Sequence, residues 1–182
     1  SALNDNKKDS PKTTNKDKIM LGRVPYADVR EMYEKHLPLI KYLESKTGKS
    51  IELKYYSSYS AMIKGILKGE IQLAWMGPVS YVIAADKMKA AGKYFTPLVK
   101  PQRRNTTYLH SEIIVRKDSG YKTIKDLRAD KFAYLDLKST AGYILPTAML
   151  ANAGVKISNV SDSNFVRHFG NVVKSVYLGK FD

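Results

Sequence analysis

Ser139, Thr140, Ala141 and Gly142 stand where a strand-like apolar run, "KFAYLD" (131–136), gives way to a helix-like run from about 142 to 153. Such a junction turns several backbone N–H groups outward at the positive end of a helix dipole, which makes a natural cradle for an anion. The two hydroxyls add donors, and the small side chains let a ligand oxygen come close to the backbone. Pro146 sets the start of the regular helix near Gly142 or later, because an interior proline removes a hydrogen bond. The competing reading makes Ser139 or Thr140 an ordinary N-cap, and composition alone favours it.

Three further residues fall on the same expected rim. Tyr59 opens one helix-like segment, Tyr81 opens the next, and His168 ends a strand-like run. A phenol donates one hydrogen bond, and an imidazole donates when neutral and adds charge near physiological pH, which suits an oxyanion that itself titrates. Tyr59 also belongs to an apolar helical face, so a core role is equally open; for a single histidine, a structural role is the ordinary one. Catalysis has less support. His36, His110 and His168 make no metal-ligand spacing, and no GxSxG, P-loop or HExxH string occurs. Asp136 and Glu112 have no acid or base partner in sequence, so the chemistry expected is binding, with no cofactor and no metal.

These residues need elements to hold them. "IMLGRV" (19–24) reads as a short buried strand ended by Pro25, and "ADVREMYEKHLPLIKYLESKTG" as a helix closed by Gly48, with Pro38 expected to kink it or start a new turn. "IELKYY" (51–56) alternates as a strand. Tyr59, Met62, Ile63, Ile66 and Leu67 then recur at helical spacing, with Ser57 or Ser58 as cap and Gly69 as stop. "IQLAWM" (71–76) is apolar enough for a central strand, and a helix follows "GP" at 77 and 78. Strand and helix alternate, which predicts an α/β fold with a mainly parallel sheet flanked by helices. The runs "FTPLVK" and "HSEIIVRK" flank a polar stretch with two arginines and read as a crossover. After it come a short helix at "TIKDL", the 131–136 strand, the helix stopped by Gly154, a strand at "NFVRH" and a last helix at 171–179. Ligands in open α/β sheets sit beyond the carboxyl ends of the strands, which points to the turns at 25–28, 57–60, 77–81, 137–142 and 168–171.

The chain carries 31 Lys and Arg against 17 Asp and Glu, a formal charge of +14. Residues 1 to 18 hold five Lys and three Asp with little to bury and are expected to form a flexible tether; the remainder keeps +12. Most basic residues are isolated among acids, as on a solvated surface, and no nucleic-acid-binding signature accompanies them, so nucleic acid is not an expected partner. With no cysteine, disulfides and thiolate sites are excluded. No apolar run approaches the roughly 20 residues of a membrane-spanning helix.

Three strings, "SYSAMIKGILKGEIQLAWMGPVSYVIA" (58–84), "SEIIVRKDSGYKTIKDLRADKFAYLD" (111–136) and "STAGYILPTAMLANAGV" (139–155), together resemble the phosphate-, phosphite- and phosphonate-binding proteins of ABC importers, the PhnD-like group. "GRVPY" and "PLIKYLESKTG" fit as well, so the resemblance runs from about residue 19 to the end. It implies a type II periplasmic-binding-protein fold, with two α/β lobes closing by a hinge on an oxyanion. On that basis residues 1–18 are the tether, 19–108 the first lobe and 109–182 an incomplete second lobe. Ser139 and Thr140 match the family's Ser-Thr-Ser-Gly-Tyr cradle, which Gly142 and Tyr143 complete. Tyr59 matches the tyrosine of its "SYxA" turn, and His168 the histidine that opens its late helix. Tyr108 or His110 is the candidate for an aromatic side chain that the family's crossover offers to the cleft.

Two departures qualify the match. Ala141 stands where the family usually has a second serine, removing a hydroxyl worth about 0.5–1.5 kcal/mol while keeping the N–H. The chain also ends at Asp182, where the family continues, so a truncated second lobe is expected. The resemblance implies an extracytoplasmic solute-binding protein, periplasmic or extracellular. It would act as a monomer, be lipid-anchored in its precursor, and deliver a phosphonate, phosphite or phosphate to a membrane permease. Two other readings remain open: a sensory module with the same pocket, and a basic surface protein that binds acidic polymers with steep salt dependence.

Overall fold

In the structure, a computed structural model, residues 18–102, 104–156, 160–161 and 164–182 are described. The expected tether therefore lies outside the described residues but for Lys18, as does Arg103 of the "RR" pair. Lys18 opens strand β1 (Lys18–Arg23) and pairs with Glu52 at 2.6 Å. Strand β2 (Ser50–Tyr55) and strand β3 (Leu73–Trp75) flank β1 in a parallel sheet of order β2-β1-β3. The register runs from Lys18 opposite Ser50 to Arg23 opposite Tyr55, with Arg23 opposite Trp75 on the other side. The middle strand is thus β1, whereas the apolar run at 71–76 had pointed to β3. Composition identifies a run that is buried on both faces; it does not identify its neighbours.

Alternate residues of the sheet serve opposite faces. Leu21, Ile51, Leu53 and Leu73 pack with Ile40 and Leu43 of helix α1 (Val29–Thr47). Met20 and Ala74 instead join Met62, Ile63 and Ile66 of helix α2 (Tyr59–Leu67) and Ala84 and Met88 of helix α3 (Pro78–Ala90). The local signals work as read. Asp28 caps α1 by accepting from the N–H groups of Arg30 and Glu31, Ser58 caps α2 by accepting from Ala61, and Gly48 ends α1 in the left-handed region at φ 66°. α1 runs on through Pro38, whose missing N–H leaves the Glu34 carbonyl without its intrahelical donor.

The second half is less regular. A single turn at Ile124–Asp126 stands where "TIKDL" predicts a short helix, and Leu127, Ala129 and Leu150 form a small core beside it. A wide helical turn at Thr140–Ile144 leads into helix α4 (Leu145–Asn152), and helix α5 (Phe169–Tyr177) closes the chain, with Gly179 at φ 68° after it.

The strands expected at 131–136 and in "NFVRH" do not form a ladder. They meet in one parallel bridge, Tyr134 with Phe165, around which Phe132 and Tyr143 complete an aromatic cluster with centroids 5.1–5.8 Å apart. The physical reason is local. The Asn164 side chain donates to the carbonyls of Asp130 and Phe132, taking acceptors that a neighbouring strand would use, and Arg167 at φ 71° breaks the run at its far end. Nor do "FTPLVK" and "HSEIIVRK" join the sheet. Pro97 and Pro101 lack the N–H a ladder requires.

Candidate functional site

The turn at 136–142 is held by its own hydrogen bonds. Ser139, 4% exposed, places its hydroxyl on the Gly142 N–H at 3.1 Å, and its own N–H donates to the Asp136 carbonyl at 2.9 Å. The N-cap reading of Ser139 therefore describes its hydroxyl. The amides of Thr140 and Ala141 are different: among the described residues no acceptor is recorded for either N–H. Gly142 lies so close to the preceding strand-like run that a Cβ there would sit 2.5 Å from the Leu135 Cβ, and its carbonyl accepts from the Leu135 N–H at 3.0 Å. A glycine is needed here for close approach.

Contacts from distant parts of the chain converge on this turn. The Thr140 hydroxyl accepts from the Val79 N–H at 3.0 Å, in the first turn of α3, where Gly77 has no side chain to offer as a cap. Lys138 Nζ donates to Ser60 Oγ at 2.8 Å, in the first turn of α2. The Ser111 hydroxyl donates to the Ala141 carbonyl at 2.6 Å. Between the start of α2 and the segments at 136–138 and 165–167 lies a cavity of about 110 Å³ lined by Ser58, Ser60, Asp136, Lys138, Phe165 and Arg167, together with Leu137. Asp136, 8% exposed, accepts from the Lys138 N–H at 2.8 Å and faces the Arg167 guanidinium at 3.6 Å.

The residues singled out from sequence divide into those this region includes and those it does not. Tyr59 lies between the two cavity serines and packs against the Met62 cluster. Burial raises its phenol pKa above the usual value, the Asp136 charge raises it further, and the Arg23 guanidinium opposes both. His168 follows Arg167 and caps α5 through its backbone. Its Nδ1 is buried and has no hydrogen-bond partner among the described residues, as a side chain awaiting an acceptor would be. The Tyr81 ring lies 5.8 Å from that of Phe95, tilted by 30°, and does not line the cavity. Tyr108 is 80% exposed with Lys100 over its ring at 5.9 Å, and His110 is exposed too, so neither reaches the cavity.

Four charged or polar residues of this neighbourhood escaped the sequence reading: Ser60, Lys138, Arg167 and Arg23. Lys138 sits inside the quoted junction, and its charge in an anion-cradle turn was the available signal. Arg23, 7% exposed at the carboxyl end of the middle strand, is sandwiched by Tyr26 at 4.9 Å and Trp75 at 4.5 Å and meets His36 Nε2. It brings a positive charge behind Tyr59.

Residues 21–182 match the family described as ABC transporter, phosphonate, periplasmic substrate-binding protein. The chain belongs to that family. It is 30% identical over 140 residues to the phosphate-import protein PhnD of Mycolicibacterium smegmatis, covering 75% of this chain and 42% of that protein. It is 28% identical over 134 residues to the phosphonates-binding periplasmic protein of Escherichia coli, covering 71% of this chain and 37% of that one. The chain thus spans about two fifths of the length of these curated relatives. This phosphonate-binding-family chain also shares its fold with two solved structures. One is PhnD1 from Prochlorococcus marinus in complex with methylphosphonate, at TM-score 0.65 and 19% identity over 92% of this chain and 62% of that one. The other is a binding protein component of an ABC phosphonate transporter from Pseudomonas aeruginosa, at TM-score 0.65 and 18% identity over 91% and 55%. The mixed helix and parallel-sheet architecture is that of periplasmic binding proteins.

Proposed function

We propose that this chain forms the anion-gripping part of an extracytoplasmic solute-binding protein, which captures a phosphonate, phosphite or phosphate and presents it to the permease of an ABC importer. Its work is binding and release, with no bond made or broken. In this reading residues 19–108 and 109–182 act as two lobes, which is supported by a 110 Å³ cavity lined by Ser58 and Ser60 from the first and by Asp136, Lys138, Phe165 and Arg167 from the second. The oxyanion sits on the N–H groups of Thr140 and Ala141, with the Tyr59 phenol closing from the first lobe and His168 donating from the second. The protein acts as a monomer held outside the cytoplasmic membrane by a lipid anchor in its precursor.

One observation carries this reading: the buried Nδ1 of His168 has no hydrogen-bond partner among the described residues, and its chain neighbour Arg167 lines a polar cavity. The names of the relatives support the same ligand class. A thermal-shift panel tests it with methylphosphonate, 2-aminoethylphosphonate, phosphite, phosphate and sulfate, the last as a control. A ligand at a hundred times its Kd adds about 2.7 kcal/mol of stability, a rise of several degrees. Equal melting temperatures across the whole panel overturn the proposal.

A further inference from the structure

We infer that the preferred ligand is a phosphonate bearing a second anionic group, a carboxylate, and that Lys138 receives that group. This rests on the oxyanion-binding reading above. The charges lining the cavity do not balance. Asp136 is its only acid, and it is already engaged by Arg167 at 3.6 Å and by the Lys138 backbone N–H at 2.8 Å. Lys138 Nζ, half-buried on the same wall, has only the neutral Ser60 hydroxyl at 2.8 Å; among the described residues no carboxylate pairs with it. A cation held out of bulk water against a neutral acceptor is poorly compensated and gains from an anion that displaces or shares that contact.

The position of Lys138 separates this charge from the cradle. It stands two residues before Thr140, and its ammonium donates to Ser60 Oγ in the first turn of α2, on the wall of the cavity. A tetrahedral group held on the cradle with its substituent in this cavity brings that substituent to Lys138. A methyl substituent leaves the ammonium as it is, an ammonium substituent is repelled by it, and a carboxylate accepts from it and from the Ser60 hydroxyl.

Isothermal titration of the intact chain at low salt with three phosphonates whose substituents are anionic, neutral and cationic, phosphonoacetate, methylphosphonate and 2-aminoethylphosphonate, tests the inference. The expected order is phosphonoacetate tightest and 2-aminoethylphosphonate weakest, with phosphonoacetate ahead of methylphosphonate by about tenfold, as one charge-assisted hydrogen bond provides. In Lys138→Met the ratio of the two affinities falls toward one. Methylphosphonate binding as tightly as phosphonoacetate in the unsubstituted chain overturns the inference while leaving the oxyanion reading intact. A ratio unchanged in Lys138→Met overturns the role of Lys138. Failure of all three to bind overturns the inference, and overturns the oxyanion reading too when phosphite and phosphate also fail to bind. Should Lys138→Met not fold, the order of the three ligands on the unsubstituted chain decides the question without it.

Discussion

The Thr140 hydroxyl accepts the Val79 N–H at 3.0 Å, so the turn that presents the candidate cradle also caps the helix facing it. Gly77 cannot cap α3, and Thr140, 61 positions after Val79, supplies the missing acceptor. Thr140→Val keeps the shape and removes the acceptor, which costs about 1 kcal/mol of stability, the usual value of a lost N-cap. Thr140→Ser restores most of it. Urea unfolding of the three proteins, compared at constant m, measures the difference.

Gly142→Ala places a methyl 2.5 Å from the Leu135 Cβ, which is fixed to the backbone, and 3.0 Å from Ser139 Oγ, which is held by the Gly142 N–H. The backbone must shift. We expect a loss of about 1–3 kcal/mol from overpacking, and weaker oxyanion binding as the Thr140 and Ala141 amides move with it. Denaturation and titration on the same preparation should change together. A destabilised variant with full affinity would separate the turn from the site.

Tyr59→Phe keeps the ring against Met62 and its neighbours and removes only the phenol. The melting temperature without ligand should move little, and phosphonate affinity should fall roughly tenfold if the hydroxyl donates to the ligand. Because burial and the Asp136 charge hold its pKa above the ordinary value, the phenol stays protonated at neutral pH, and no Tyr59 titration should appear in the pH profile of binding below the usual tyrosine range.

Burial pushes the Tyr134 phenol, which donates to the Ala129 carbonyl at 3.2 Å, up to about 12. An unfolded tyrosine loses its proton near 10. Between these values the native state holds a proton that the unfolded state has lost, so stability falls as pH rises from about 10 to about 12 and is unaffected by this group below that window. Tyr134→Phe removes this alkaline slope. Unfolding free energies from pH 8 to 11.5 test it.

The elements of the first half were legible because each carried its own local instruction. The apolar positions of α2 from Tyr59 to Leu67, the Ser58 cap and the Gly48 stop are properties of neighbouring residues. The second half depends on partners. The 131–136 run has a strand's composition, yet the Asn164 side chain takes its carbonyls and only Tyr134 pairs. The candidate cradle could be singled out because a strand-to-helix junction is a local pattern. The Lys138 contact with Ser60 spans 78 positions and has no local signature. Tyr108 and His110 came from resemblance alone, and the crossover that carries them is exposed to water in this structure.

That crossover has a consequence for the behaviour of the molecule in solution. Tyr94, Leu98 and Val99 are 95%, 74% and 90% exposed on a stretch outside the sheet, a sticky strip on a body carrying +14. Mutual repulsion keeps copies apart when the Debye length is long, about 30 Å at 0.01 M salt, and shrinks to about 3 Å at 1 M. Dilute buffers will therefore keep the protein dispersed, and concentrated salt will drive it to cluster through the strip, the reverse of the salting-in expected of a chain joined by opposite charges.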